Sequence, residues 1–415
     1  MNVLKLFGVI VAALIAVAAW SATALYGGLL GWWMDPVVDE GDHQAFAAAA
    51  QARIEEESLG NSAFVLLTDG EVTAEHYALA SNDVSADTVF PTASFSKWIT
   101  ALGIMTLERD GLIDLDDAVS SHLTRWGLPE GPYNDEVTVR RLLSHMAGLT
   151  DGLGFGDYEA DEKIPTLVES LNNPRASVGR DSVVAVGTEP GTEFAYSGGS
   201  YLILELLIEE VSGQSYRDYI TNEVLAPLGM KSSSFDYLGD IPEATASFDA
   251  GGSRVEPYKY AAAGATGFVS SAADLTLLVQ GILSEDAPLG IDQQAMRAPH
   301  ASVLGAPIWG LGVMLYAPTR SGTDYVFGHD GGNEPAINAS VRINPETRDA
   351  FILLANGHAT LASDIGADWV LWQTGTPDFL SSDAAIASSI VPIVVGSGVI
   401  LLITIVAGRR FLRRS

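Results

Sequence analysis

Residues 91–97 read Pro91-Thr92-Ala93-Ser94-Phe95-Ser96-Lys97, and the reading of the whole chain starts there. Pro91-Thr92-Ala93 interrupts the backbone, and the pattern that follows predicts a helix from about Ser94 to Asp110. Ile99, Leu102, Ile104 and Met105 suit its burial, and Gly111 suits its C-terminal stop. Residues three apart share a helix face, so the Ser94 hydroxyl and the Lys97 amine can meet. A serine becomes a nucleophile when a neighbouring base takes its proton, and an amine kept away from water can be that base. Of the lysines Lys5, Lys97, Lys163, Lys231 and Lys259, only Lys97 follows a serine by three positions.

Outward from this segment the patterns change in a regular way. His43 to Glu57 is alanine-rich and helical in character. Ala63 to Thr68, the turn Asp69-Gly70 and Glu71 to Ala78 form a predicted hairpin. From Leu112 to about Ser253 helices dominate, over Thr138 to Met146, Ser200 to Ser212 and Tyr216 to Leu225. Loops rich in Gly, Pro and Asp separate them, as at Leu149 to Gly156 and Thr188 to Thr192. A helix is expected over Ala272 to Leu283. Strand character then returns at Gly310 to Tyr316, Tyr325 to Gly328, Ile337 to Ile343 and Ala350 to Leu354, with a closing helix over Thr360 to Trp372. Strands at both ends with helices between them predict an α/β fold whose sheet is assembled from both ends of the sequence.

The chain has 415 residues, 47% of them hydrophobic, and no cysteine, which excludes disulfides, thiolate metal sites and cysteine nucleophiles. Leu6 to Met34 and Ala384 to Gly408 carry no charge, and each exceeds the roughly 20 apolar residues that span a bilayer as a helix. Lys5 precedes the first. Arg409, Arg410, Arg413 and Arg414 follow the second. Basic flanks stay cytoplasmic, so both termini are expected inside and the middle of the chain outside. Ser21-Ala22-Thr23-Ala24 would suit signal cleavage, so residues 1–34 are a transmembrane anchor or a signal segment. Residues 384–408 are a transmembrane helix and 409–415 a basic cytoplasmic tail. Five of the 22 basic residues lie in these tails. The extracytoplasmic part, residues 35–383, therefore sets 17 basic against 52 acidic residues, a field that makes nucleic acid a poor partner.

Two later stretches complete a constellation with Ser94 and Lys97: Tyr196-Ser197-Gly198, and Gly328-His329-Asp330-Gly331-Gly332. Ser-x-x-Lys with a later basic-x-Gly element is a signature of penicillin-binding proteins and serine β-lactamases. Other phrases fit as well: Leu107-Glu108-Arg109-Asp110-Gly111, Leu142-Leu143-Ser144-His145-Met146-Ala147-Gly148-Leu149, and Pro190-Gly191-Thr192-Glu193-Phe194-Ala195-Tyr196-Ser197. Over residues 45–375 the chain resembles the class C β-lactamase-related serine hydrolases, which include D,D-peptidases, esterases and D-aminopeptidases.

The resemblance implies a β-lactamase-like α/β fold: an antiparallel sheet flanked by helices, with α/β parts at about 41–111 and 258–380, a mostly helical insertion at about 112–257, and the N- and C-terminal transmembrane helices added. It implies Ser94, Lys97 and Tyr196 as catalytic residues. The amides of Ser94 and Gly332 would form the oxyanion hole. His329, Gly331 and Gly198 would bind substrate, with His329 holding a substrate carboxylate or orienting Tyr196. Ser94 at a helix N-terminus sits where developing negative charge is favoured. The family carries asparagine where this chain has Gly198. Its loss weakens the case for β-lactam hydrolysis and favours ester substrates. His145 and His358 read as structural. No cofactor is implied; metal catalysis lacks a His-Glu-x-x-His motif or a clustered histidine pair, and an α/β-hydrolase is disfavoured because no Gly-x-Ser-x-Gly elbow occurs. The expected protein is a membrane-anchored serine hydrolase acting through an acyl-enzyme on a small ester or peptide-like substrate. The alternatives are a D,D-carboxypeptidase, a D-aminopeptidase or a β-lactamase, and, outside catalysis, a ligand-binding sensor of the same fold.

Overall fold

A computed structural model describes residues 2–78, 80, 84–151, 157–175 and 183–413. The loop expected at Leu149 to Gly156 falls outside these beyond Asp151, as does Arg414 of the basic tail.

Eight strands form one antiparallel sheet: β1 (Ser62–Thr68), β2 (Glu71–Ala78), β3 (Ala301–Val303), β4 (Ala306–Trp309), β5 (Met314–Pro318), β6 (Tyr325–Asn333), β7 (Ile337–Asn344) and β8 (Asp349–Asn356). Their order across the sheet is β2-β1-β8-β7-β6-β5-β4-β3, so the N-terminal hairpin joins the C-terminal strands through β1 against β8. The side-chain period of two then sorts each central strand between two helical layers. Ala63, Val65 and Leu67 of β1, with Ala350, Ile352 and Leu354 of β8, face one core. Phe64 and Leu66, with Phe351 and Leu353, face the other. Both faces are covered, which is why β7 and β8 are buried along their whole length.

The second core belongs to α2 (His43–Glu57) and α6 (Leu361–Thr374), where Phe46 stacks on Trp372 with ring centroids 4.8 Å apart. The first is built on α3 (Ser96–Arg109), α4 (Gly198–Ser212) and α5 (Ala272–Leu283). Every residue of α3 from Ser96 to Leu107 is buried. This helix runs between the sheet and the helical segment. A β-carbon at Gly103 would lie 2.4 Å from Ile220, so this position admits no side chain without repacking.

One expected strand, Gly310 to Tyr316, is strand only from Met314 onward. β4 ends at Trp309, which pairs directly with Met314 at the start of β5. Gly312 turns the chain at φ +75°, and a β-carbon there would lie 2.1 Å from Ala101 of α3. The strand expected at Tyr325 to Gly328 instead continues to Asn333. The 112–257 region is not purely helical: among the described residues it supplies strands to short ribbons, such as Asp157–Tyr158 against Lys259–Tyr260 and Ser247–Phe248 against Arg254–Val255.

Among the described residues, two helices are long and apolar enough to cross a membrane. One lies within α1 (Asn2–Leu29). The other combines α7 (Ser382–Ser388) and α8 (Ile390–Arg413). They pack on each other: the Trp20 indole donates to the Pro392 carbonyl at 2.8 Å, and a β-carbon at Gly28 would fall 2.6 Å from the Ala385 carbonyl.

Candidate active site

The segment 91–97 enters the site from the Val89–Pro91 strand, turns through a short 3-10 helix at Ala93–Phe95, and continues into α3. Ala93 holds φ +47°, a left-handed conformation that costs a β-carbon-bearing residue roughly 1–2 kcal/mol. Several contacts hold it there. Ser96 donates its hydroxyl to the Ala93 carbonyl at 2.6 Å and accepts from the Phe268 amide at 2.9 Å. Phe95 is fully buried beside Trp98, Phe268 and His329. The strained turn leaves Ser94 half-buried at the helix entrance.

Lys97 is 1% exposed. Its Nζ lies 3.2 Å from Ser94 Oγ and donates to the Ala265 carbonyl at 2.9 Å. It also lies 4.9 Å from the centre of the Tyr196 ring. The Ala263–Thr266 turn that offers this carbonyl is itself fixed from behind. Glu205 of α4 accepts from the Gly264 amide at 2.8 Å, and Thr100 donates to the Gly264 carbonyl at 2.7 Å. Burial pushes the Glu205 carboxyl up to about 8.

Tyr196 comes from the approach to α4. Ser197 caps that helix, accepting from the Ser200 amide at 2.9 Å and donating to Asp151 at 2.6 Å, and Asp151 also accepts from the Gly199 amide at 3.0 Å. Gly198 is buried as the first residue of α4.

β6 supplies the third side. Its pairing with β5 ends at Gly328, so His329 to Asn333 run on past β5. Gly331 passes so close to the Ser94 turn that a β-carbon there would lie 1.9 Å from the Thr92 carbonyl and 3.0 Å from the Phe95 amide. Gly332 pairs with Asn338 and has open room on its α-carbon.

His329 is fully buried, with Nδ1 2.6 Å from the Asp330 carbonyl. A carbonyl only accepts, so Nδ1 carries the proton and the unpartnered Nε2 is left as an acceptor. Burial, with Lys97 adding to it, drives the His329 pKa down to about 3. The imidazole is therefore neutral.

His145, read from sequence as structural, also stands in the site. Its ring lies 4.4 Å from that of Tyr196 and 4.7 Å from that of Trp309. Its Nδ1 accepts from the Ser197 amide at 3.1 Å, which places the proton on Nε2, a buried donor without a partner. Burial, then Lys97 and His329, lower its pKa well below the ordinary histidine value. The two imidazoles thus present opposite tautomers, one spare donor and one spare acceptor, each in edge contact with the Trp309 ring. The phrase around His145 was legible in the sequence, but a lone histidine carries no signal of what lies opposite it. His358, by contrast, only accepts from the Thr360 amide in an exposed turn.

The constellation therefore gathers Ser94, Lys97, Tyr196, Gly331 and His329 in one place, with a serine–lysine contact suited to acyl transfer. The Beta-lactamase family model matches residues 46–376 of this chain. Protein flp of Staphylococcus aureus (strain COL) is 32% identical over 151 residues, covering 36% of this chain and 29% of that protein. A penicillin-binding protein of Bacillus subtilis (strain 168) is 34% identical over 152 residues, covering 36% and 31%. The matched stretch thus spans less than a third of these curated relatives. Among solved structures, the octameric penicillin-binding protein homologue from Pyrococcus abyssi superposes with TM-score 0.65 at 24% identity, covering 80% of this chain and 78% of that one. EstCE1, a hydrolase with promiscuous acyltransferase activity, superposes with TM-score 0.61 at 19% identity, covering 80% and 97%. D-amino acid amidase from Ochrobactrum anthropi SV3 does so with TM-score 0.60 at 21% identity, covering 85% and 98%. At these identities the structures speak for the fold, and the family model over most of the chain speaks for descent: the chain belongs to the Beta-lactamase family of serine hydrolases.

Proposed function

We propose that this protein is a membrane-anchored, extracytoplasmic hydrolase that cleaves small esters or amides through an acyl-enzyme on Ser94. The observation that carries the reading is the 3.2 Å approach of the buried Lys97 amine to the Ser94 hydroxyl. Lys97 takes the serine proton as Oγ attacks the substrate carbonyl. The amides of Ser94 and Gly332 receive the oxyanion. Tyr196, beside the Lys97 ammonium, returns the proton to the leaving group, and water then releases the acyl group. His329, neutral and presenting an acceptor, orients a substrate hydroxyl or amide N–H; a carboxylate finds no donor on it.

Esters come first because Gly198 offers no side-chain amide to hold an amide substrate. Neighbours of the same fold that are a D-amino acid amidase and a hydrolase with acyltransferase activity support acyl transfer here. Two helices long and apolar enough to cross a membrane, with basic residues at their terminal ends, support the anchoring and an extracytoplasmic catalytic domain. The test is a panel of short-chain aryl esters, D-amino acid amides and a chromogenic cephalosporin, run on wild type and Ser94→Ala. Ester turnover and phosphonate labelling that both vanish in Ser94→Ala support the reading. A wild-type protein that takes no phosphonate label removes it, in favour of a ligand-binding sensor.

A further inference from the structure

The route from the anchor to the catalytic site is short. Gly31 follows α1 by two residues, and a β-carbon there would lie 2.8 Å from Pro377. Tyr26, Trp32 and Trp33 surround this point with exposed aromatic rings, the composition found at the headgroup level of a bilayer. Counting back from Arg409, the roughly 20 residues needed to cross the hydrocarbon reach Ser389, close to where Gly28 of α1 meets Ala385. On the anchored reading, Pro377 and the N-terminal end of α7 fall at the outer end of this span.

Phe379 is two residues beyond Pro377, at most about 7 Å along the chain. Its amide donates to the Tyr316 carbonyl of β5 at 2.7 Å, and its neighbour Asp378 forms an ion pair with Arg342 at 2.6 Å, so the segment is fastened to the sheet. The Phe379 side chain packs on the cluster of Ala301, Ile308 and Trp309. That same cluster carries Met146, Phe194, Tyr196 and Met314, all half-buried. The Trp309 ring lies 5.5 Å from that of Tyr196 and 5.4 Å from that of His329. One layer of apolar side chains thus separates the headgroup level from the catalytic residues.

A second observation comes from the hairpin that holds Trp309. Its turn is Leu304-Gly305, with Leu304 at φ +51° and fully exposed, and Val303 beside it 44% exposed. Asparagine or glycine satisfies such a turn without strain. A leucine there is both strained and unburied in water, and burial in lipid would offset that cost.

We propose that the site, in the hydrolase role given above, acts on an uncharged or zwitterionic amphiphile resident in the outer leaflet. Its apolar chain lies along the half-buried Phe379, Phe194 and Met314, which pack over the buried Trp309, and its ester carbonyl reaches Ser94. The net acidity of the extracytoplasmic part disfavours an anionic headgroup. In the step, the Ser94 Oγ–acyl bond forms as the ester C–O bond breaks. The serine proton passes by way of Lys97 and Tyr196 to the departing alcohol, and one water then divides between the free acid and the regenerated serine.

The test uses the full chain in phosphatidylcholine vesicles. Ser94 is labelled with a fluorescent phosphonate, and energy transfer to an acceptor on the lipid headgroup is measured. Strong transfer is expected, and transfer no greater than that from a dye placed on the Asp249–Ser253 turn, which meets Leu59 at the opposite end of β1 from the Thr68–His43 contact, overturns the proposal. In parallel, hydrolysis of a vesicle-borne long-chain nitrophenyl ester is compared with that of nitrophenyl acetate. The ratio should favour the long chain, and Phe379→Ser and Leu304→Ser should each lower it about tenfold, with phosphonate labelling as the check of folding. Acetate turnover without a long-chain preference sinks this inference while sparing the hydrolase reading. Loss of Ser94 labelling in the wild type sinks both.

Discussion

Asp330 and Arg342 meet at 2.7 Å across β6 and β7, and this pair lies on the opposite face of β6 from His329. Arg342 is fully buried and also grips Asp378 at 2.6 Å. Ser340 and Tyr316 both donate to Asp330. Burial opposes the guanidinium charge, but Asp330 and Asp378 outweigh it and hold its pKa above the ordinary value. The strand that presents His329 and Gly331 is therefore clamped from behind. Arg342→Met should cost about 3–5 kcal/mol, because it strands two carboxylates in the core. Urea unfolding in detergent measures this, and a loss below about 1 kcal/mol would show that the clamp contributes little.

Gly331→Ala should lower ester turnover about a hundredfold while leaving the fold largely intact. The added carbon meets the Thr92 carbonyl at 1.9 Å, so either β6 or the Ser94 turn must move. Either shift pulls apart the Ser94 and Gly332 amides proposed to receive the oxyanion, and a displacement of this kind costs on the order of a hundredfold in rate. Gly332→Ala is the contrasting control, since its nearest neighbours are 3.7 and 3.8 Å away. Equal losses in both variants would contradict the close-approach argument.

Ser94→Ala and Lys97→Met should each lower kcat about a thousandfold or more, and the double variant should lose no more than either alone, since residues that act as a unit are not additive. An additive double variant in the ester assay would mean that the two side chains do not act as a pair. Lys97→Met leaves the Ala265 carbonyl without its donor, so its thermal stability should fall too.

Two buried groups set opposite pH slopes on stability. His329 falls from 6.5 to about 3 on folding, so between these values the unfolded chain holds a proton that the folded chain refuses. Its contribution is complete above pH 6.5 and fades as the pH drops. Glu205 rises from 4.5 to about 8, so the folded chain holds the proton, and stability fades as the pH climbs through that range. Glu205→Gln should flatten the decline between about pH 5 and 8, a slope of at most about 1.4 kcal/mol per pH unit. An unchanged slope in denaturant titrations at several pH values would remove Glu205 as its source.

Much of the fold was readable locally. The β1–β2 hairpin follows from Asp69-Gly70 between alternating segments, and α2 and α5 fall at the residues their composition marks. The Gly310 to Tyr316 reading missed because the two glycines serve distant neighbours, Gly310 the Met296 carbonyl and Gly312 Ala101, and nothing in the local pattern announces those contacts. The β3–β4 hairpin was missed because Leu304 occupies a turn that ordinarily advertises itself with asparagine or glycine.

The Ser94–Lys97 contact is within the reach of sequence, since helical spacing alone brings positions three apart onto one face, and the charge-free segments declare themselves by length. Which side chains surround that pair is another matter. His145 and Trp309, 164 positions apart in the chain, lie with ring centres 4.7 Å apart because the helical layer closes over an edge of the sheet. The same closure dries Lys97, fixes opposite tautomers on the two histidines, and sets Phe379 against the catalytic wall. Contacts between such distant residues depend on how whole layers pack, and local pattern carries no record of that.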